Sequence, residues 1–150
     1  MSQRLSIISQ MRTPSELTTA FRERRLKNTP QRQAIFAHLH GNLGHPTAES
    51  VHLAVAKDMP SLSLRTVYQT LNDLVAMGEL TSVDLEGGAV RFDPNMTDHH
   101  HALCRRCGSL ADVELDLSSL SLQLRGFHHD SIQVVVRGQC APCSSPTQTA

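Results

Sequence analysis

The sequence has no tryptophan, a single tyrosine and an aromatic content of only 3%, so a core built from it is mainly aliphatic. It has no apolar run approaching the roughly 20 residues of a membrane span and no apolar stretch behind Met1 of the kind a secretory signal carries. A cytoplasmic protein without a membrane partner is the resulting expectation. It shows no internal repeat. Net charge is missing too, because 14 Lys/Arg balance 14 Asp/Glu. The balance is uneven along the chain: residues 1–77 hold nine Lys/Arg against five Asp/Glu, and residues 78–150 hold five against nine. A basic half can face phosphates and an acidic, His-rich half can hold cations, although solvated surface also explains a modest asymmetry. The chain has only four cysteines, which in a reducing compartment point to metal ligation rather than disulfides. A length of 150 residues with 39% hydrophobic content suits one ordinary domain or two small ones.

Helix punctuation organises the front of the chain. Residues 1–14 read as a flexible polar arm. SELTTAFRERRLK starts a helix at Ser15, with Leu17, Ala20, Phe21 and the Arg24 stem on one face. In KNTPQRQAIFAHLHG, Thr29 is an N-cap, Pro30 opens the helix, Gly41 lies beyond its end, and Ala34, Ile35, His38 and Leu39 keep helical spacing. HPTAESVHLAVAKDMP starts a third helix at Thr47 and stops before Pro60; a fourth runs from the cap Ser63 to Met77, with Gly78 as its C′ residue. ELTSVDLEGGAVRFD alternates and turns at Gly87-Gly88, a β-hairpin pattern. Helices closing on a hairpin give the order of a winged helix, here residues 15–93. A hinge over 94–97 follows, then short strands over Ala102–Cys104 and Leu110–Glu114, a helix near Leu117–Arg125, the strand SIQVVVR, and a disordered polar tail over 144–150.

Three features carry chemistry. In SLRTVYQTLNDLVAMG, Val67, Leu71, Leu74 and Val75 face the core, leaving Arg65, Thr66, Tyr68, Gln69 and Asn72 outward as candidates for phosphate and base contacts. An ordinary polar helix face is the competing explanation; the hairpin behind it, the basic helices before it and Arg91 on the presumed wing favour DNA. Next, Cys104-x-x-Cys107 and Cys140-x-x-Cys143 supply four soft ligands, a closed tetrahedral zinc set with no open position. Two disulfides or unligated thiols compete, but the repeated two-residue spacing favours structural zinc. Finally, the stretch from Thr97 to Gly108 reads TDHHHALCRRCG, in which His99 and His101 point to one side of an extended segment and His100 to the other. With Asp93 and Asp112 close by in the expected sheet, they form a sulfur-free set suited to Fe2+ or Mn2+.

The TPQR opening of the second helix, GHPTAE, the TVYQTL helix, DHHHALCRRCG and the closing CxxC occur in an order that resembles the ferric uptake regulator (Fur) superfamily, from about Ser15 to Cys143. The resemblance implies an α+β chain: an N-terminal winged helix-turn-helix domain over 15–93, then an α/β dimerisation and metal-binding domain over 98–143 with a four-cysteine zinc site. It implies a cytoplasmic homodimer that acts as a metal-dependent repressor on double-stranded operator DNA and is not an enzyme. Cys104, Cys107, Cys140 and Cys143 match the structural zinc ligands; His45, Asp93, His99, His101 and Asp112 match the regulatory ligands for Fe2+ or Mn2+.

Within the superfamily the chain is most like the peroxide-responsive PerR branch. Both regulatory carboxylates are Asp where iron-uptake regulators usually carry Glu, and Ile132 stands where iron- and zinc-uptake regulators place a further ligand histidine. His128 and His129 lie near that position but out of register and read as surface histidines, and His100 is outside the set. The branch implies Fe-catalysed oxidation of His45 or His99 by hydrogen peroxide, followed by release of the operator. A metal-uptake regulator for iron, manganese or nickel, responding reversibly to metal level, is the alternative. A zinc-dependent enzyme would need an open zinc position beside a general acid/base Glu, and no His-x-Glu precedes the cysteines.

Overall fold

A computed structural model of the protein describes residues 11–120 and 122–145. The chain divides between Thr97 and Asp98 into two compact units. Among the described residues no helix is long and apolar enough to cross a membrane.

The first unit runs α1 (Pro14–Glu23), α2 (Pro30–Leu39), α3 (Ala48–Val55), α4 (Leu64–Ala76), β1 (Thr81–Val83) and β2 (Arg91–Asp93). Each helix opens on a hydroxyl: Thr13, Thr29, Thr47 and Ser63 accept from the backbone N–H groups of Glu16, Arg32, Ser50 and Thr66. Each bond satisfies one of the donors a helix start leaves without a partner. At α1 the Glu16 carboxylate also reaches back to the Thr13 backbone, completing a capping box, so the helix opens at Pro14, one residue before the expected start. Over residues 11–14 the chain is likewise ordered where a flexible arm was expected. Met11 is buried and its N–H donates to the Pro94 carbonyl at 3.2 Å, while Arg12 pairs with Glu79. Residues 1–10 lie outside the described residues. At the other end of the helical run, Gly78 takes φ 74°, the left-handed turn that stops α4.

Leu17, Phe21, Ile35, Phe36, Leu39, Val51, Val67, Leu71 and Leu74 pack together with Phe92 from the hairpin. One expectation is corrected. Arg24 is exposed rather than packed, because it caps α1 where the chain reverses at Arg25 (φ 58°). On α2 the buried face is Arg32, Ile35, Phe36 and Leu39, with Ala34 and His38 only half-buried. Arg32 tolerates burial because its guanidinium meets the Asp73 carboxylate at 2.8 Å and lies 5.2 Å from the centre of the Phe21 ring. β1 and β2 pair antiparallel, Thr81 opposite Asp93 and Val83 opposite Arg91, around a turn closed by Gly88 N–H to Leu85 O.

The second unit holds β3 (His100–Cys104), β4 (Leu110–Val113), β5 (Val135–Gly138) and the single turn α5 (Ala141–Ser144). Its sheet has the order β4-β3-β5, antiparallel on one side and parallel on the other. The helix expected near Leu117–Arg125 does not form among the described residues. Asp116 accepts from the Ser118 N–H at 2.9 Å and Leu120 N–H closes an isolated turn on Leu117 O, local bonds that compete with a helix start. β5 covers only the last part of SIQVVVR and one residue more. Ser144, expected to open a disordered tail, is instead the last residue of α5, and residues 146–150 lie outside the described residues. The class is α+β, a helical unit with a hairpin followed by a small mixed sheet.

Candidate metal centres and nucleic-acid face

The thiols come together through the sheet. β3 ends at Cys104, and a turn closed by Gly108 N–H to Cys104 O carries Cys107 back beside it. Gly108 takes φ 74°, a conformation that costs a side chain most. β5 lies parallel to β3 with Gly138 opposite Cys104, which delivers Cys140 and, one helical turn on, Cys143. The 32-residue gap between the pairs is thus closed by strand pairing. All four cysteines are free thiols, and their sulfurs lie within 4.8 Å of one another. Cys107 and Cys140 Sγ are 3.6 Å apart, close to the roughly 3.8 Å edge of a tetrahedron with metal–sulfur bonds of about 2.3 Å. Backbone N–H groups, that of Cys107 foremost and then that of Cys140, stabilise the Cys104 thiolate and lower its pKa to about 5. Cys143 is pushed up to about 12, mainly by the Cys140 thiol and then by burial. The spacing of the four sulfurs fits a zinc set.

In the second unit His99, His101 and Asp112 converge. His101 is fully buried on β3 and stands opposite Asp112 on β4, so their side chains share a face. The Nε2 atoms of His99 and His101 are 3.0 Å apart, and Asp112 Oδ1 lies 3.4 Å from the first and 3.7 Å from the second. Two nitrogens each about 2.1 Å from one ion and at right angles stand about 3.0 Å apart, so the imidazoles fit neighbouring ligand positions. His100 points the other way, its Nδ1 accepting from the Val134 N–H at 3.2 Å. His128 and His129 are exposed.

In the first unit His45 and Asp93 form a buried pair, Nε2 to Oδ2 at 3.2 Å, with side chains 2% and 1% exposed. Backbone pairing delivers them: Phe92 N–H donates to Pro46 O, and the Arg91 guanidinium donates to His45 O at 3.4 Å. Arg91, expected on the wing to face DNA, is half-buried in this contact instead. Asp93 belongs to the β1–β2 hairpin rather than to the sheet that holds Asp112. His45 carries φ 48°, rare for a residue with a side chain. Holding it there costs on the order of 1–3 kcal/mol, and such strain gathers at functional positions.

On α4, Arg65, Tyr68, Gln69 and Asn72 are exposed and Thr66 is half-buried. Val67, Leu71 and Leu74 face inward as expected, while Val75 is half-buried and Thr70 fully buried. Two of the outward groups are already bonded: the Thr66 hydroxyl to Ser63 Oγ at 2.9 Å and the Tyr68 hydroxyl to Glu49 at 2.6 Å.

Sequence reasoning missed three supporting residues. Gln133 places its amide 3.5 Å from His101 Nδ1. When Nε2 faces a cation, Nδ1 carries the proton, and the amide, whose two ends exchange on a flip, then accepts it through Oε1. Asn95, buried two residues beyond β2, donates its N–H to Asp93 Oδ1 at 2.8 Å and accepts from the Thr97 N–H and hydroxyl. Glu49 is the third. Only Glu49 had a local signal, as an acidic first-turn residue.

The model of the ferric uptake regulator family matches residues 23–136. The peroxide operon regulator of Bacillus subtilis (strain 168) is 29% identical over 133 residues, 86% of this chain and 92% of that protein. The peroxide-responsive repressor PerR of Staphylococcus aureus (strain Mu50 / ATCC 700699) is 28% identical over 132 residues, 85% of this chain and 89% of that one. The solved structure of the Helicobacter pylori ferric uptake regulator Fur superposes with a TM-score of 0.70 at 18% identity, over 92% of this chain and 98% of that one, a likeness of fold. With the family match running from the end of α1 into β5, the chain belongs to the ferric uptake regulator family.

Proposed function

We propose that the chain is a metal-dependent dimeric transcriptional repressor that senses hydrogen peroxide and then releases operator DNA in the cytoplasm. The observation that carries this reading is the donor chemistry: clustered thiols in one place, and sulfur-free His/Asp groups elsewhere. Four thiolates at Cys104, Cys107, Cys140 and Cys143 saturate a structural zinc. His45 and Asp93 join His99, His101 and Asp112 around one regulatory Fe2+ or Mn2+, ions that accept imidazole and carboxylate together. Two ligands or three would bind weakly alone, whereas these five would hold the ion together, where iron would supply redox chemistry toward a small oxidant. The six residues from Asp93 to His99 reach at most about 20 Å, so the covalent path keeps the two sets near each other. Because the ligands belong to two units, metal binding favours one arrangement of those units over others and so acts as corepressor.

Iron in this set supplies redox chemistry toward hydrogen peroxide: the net change is one oxygen atom inserted into a ring C–H of His45 or His99, with water as the other product. An oxidised ring is a weaker donor, and loss of His45 would leave Asp93 as the first unit's one ligand. In a homodimer, two copies of α4 separated by about 34–36 Å or a multiple of it present Arg65, Thr66, Tyr68, Gln69 and Asn72 to successive major-groove faces of operator DNA. Exposed Leu115, Leu120, Leu122, Leu124, Phe127 and Val136 in the second unit supply apolar surface for the partner copy. Two peroxide regulators among the relatives and Asp at both carboxylate positions support the peroxide branch.

The test is intact-protein mass spectrometry with peptide mapping after brief peroxide treatment of Fe2+-loaded and Mn2+-loaded protein. One added oxygen on the peptide holding His45 or His99, with iron only, together with loss of DNA binding, is the expected result. Iron-loaded protein that stays unmodified and bound to DNA overturns the sensing reading and leaves reversible regulation by metal level.

A further inference from the structure

The α4 face that would meet DNA has a carboxylate fastened to it. Tyr68 Oη donates to Glu49 Oε1 at 2.6 Å, joining α4 to the first turn of α3 across 19 positions of sequence. Both residues are exposed, Tyr68 to 40%. Such a short bond belongs to the charge-assisted class. Its effects run both ways: the Tyr68 hydroxyl holds the Glu49 carboxyl below its ordinary range, and the carboxylate raises the phenol above its own.

A carboxylate is poorly placed on a surface that approaches phosphates, since like charges repel and one anion offsets one phosphate contact. Its benefit to the α3 dipole would not require it to reach Tyr68. The bond itself has a consequence for recognition. A tyrosine hydroxyl has one hydrogen, and here Glu49 takes it. A phenol whose hydrogen is engaged has nothing to donate to a phosphate, the contact that every DNA sequence offers. It retains lone pairs that accept from the amino groups of adenine or cytosine and that oppose the carbonyl oxygens of thymine and guanine.

We infer that Glu49 is a positioning residue for sequence discrimination: by holding the Tyr68 hydroxyl hydrogen it bars a non-specific phosphate contact and presents the phenol oxygen to bases as an acceptor. The inference rests on the repressor reading and deepens it. Glu49 trades affinity for selectivity, so removing it makes the protein bind DNA in general more tightly and choose less well.

The experiment uses full-length Mn2+-loaded protein. Duplexes selected from a randomised pool by the wild type are compared with scrambled duplexes of the same composition across a range of salt. Glu49→Ala lowers the ratio of selected to scrambled affinity by about fivefold or more, chiefly by tightening the scrambled complex, and steepens the salt dependence by about one counterion. Glu49→Gln keeps an oxygen that accepts the hydroxyl hydrogen; its ratio stays within about twofold of the wild type while its salt dependence steepens as in Glu49→Ala. In a Tyr68→Phe background, Glu49→Ala no longer changes the ratio, because the hydroxyl it would release is gone. A purely structural role for Glu49 would move melting temperature without this pattern. Should Glu49→Ala fold poorly, Glu49→Gln and Tyr68→Phe carry the comparison.

A ratio unchanged in Glu49→Ala, one equally lowered in Glu49→Gln, or one lowered by the same factor without the Tyr68 hydroxyl overturns the inference. A wild type that selects no sequence from the pool refutes the repressor reading itself, whereas a selective wild type indifferent to Glu49 refutes this inference alone.

Discussion

The two units reach stability by different means. In the first, Phe21, Phe36, Ile35, Leu39, Leu71 and Leu74 are fully buried in one aliphatic and aromatic cluster, and four helices carry hydroxyl caps. In the second, the buried side chains among the described residues are His101, Cys104 and Leu110. Leu120, Leu122, Leu124 and Phe127 are exposed there, and the cap position of α5 is Cys140, with no side-chain bond to the helix. A small unit that buries so little needs a staple or a partner surface, and four thiols in contact are the staple on offer. Metal at the thiols is thus expected to be structural in the second unit, and metal at the His/Asp residues, which are divided between the two units, to be conditional.

The largest effect should come from the thiols. Cys107→Ser takes away one of the four thiols proposed to hold zinc while leaving the first unit's core untouched. Zinc binding in small closed sites contributes on the order of 10 kcal/mol to folding, so the second unit should unfold. Zinc content and residue-resolved hydrogen exchange check this: protection is lost from β3 to α5 and kept from α1 to α4. Equal loss in both units would break the comparison. Next in size, Phe36→Ala deletes a ring that packs edge-on to Phe21 at 4.8 Å and should cost the first unit about 3–5 kcal/mol, with bound zinc unchanged.

The same contrast explains what could be read from the sequence. Helix ends were legible because caps are local: Thr29-Pro30, Thr47, and Ser63 with Gly78 state their positions within a few residues. His99 and His101 were legible by alternation, and the cysteines by their spacing. The second unit was less so, because its order depends on distant pairings. Nothing local in the run from Leu115 to Leu124 says whether those leucines meet a helix partner, a strand or another copy. The parallel pairing of β3 with β5 that closes the cysteine set joins residues more than thirty positions apart. Gln133 and Asn95 escaped for the same reason, since each matters only through the ligand that folding places beside it.

The His/Asp residues sharpen the comparison at intermediate size. His45→Ala should lower Mn2+ affinity by more than about 100-fold, beyond what outer partners of a ligand cost, and abolish metal-dependent DNA binding while zinc content and the melting of the second unit hold; the first unit loses stability because Asp93 is left buried without this partner. A variant still activated by metal would remove His45 from the regulatory set. Gln133→Leu is milder. It leaves His101 in place but takes away the amide at its Nδ1, for an expected loss of about tenfold in Mn2+ affinity, read by titration with zinc retained.

The smallest effect belongs to a hydroxyl cap, and it is set against a cysteine that stands at a cap position without making a cap bond. Thr47 Oγ1 accepts from the Ser50 N–H at 3.0 Å at the start of α3, and Thr47→Ala should cost about 1 kcal/mol, a fall of roughly 4–8 °C in the melting of a unit this size. Cys140 occupies the equivalent place in α5, yet its value there is not that of a cap. Serine is a better N-cap than cysteine on intrinsic grounds, so a unit held by ordinary helix energetics would gain from Cys140→Ser. A unit held by metal would instead lose its zinc and its hydrogen-exchange protection. Thr47→Ala therefore follows N-cap preference in the first unit, and Cys140→Ser runs against it in the second. Stabilisation by Cys140→Ser, measured with zinc present, would show that the second unit folds on its own packing and that the staple is dispensable.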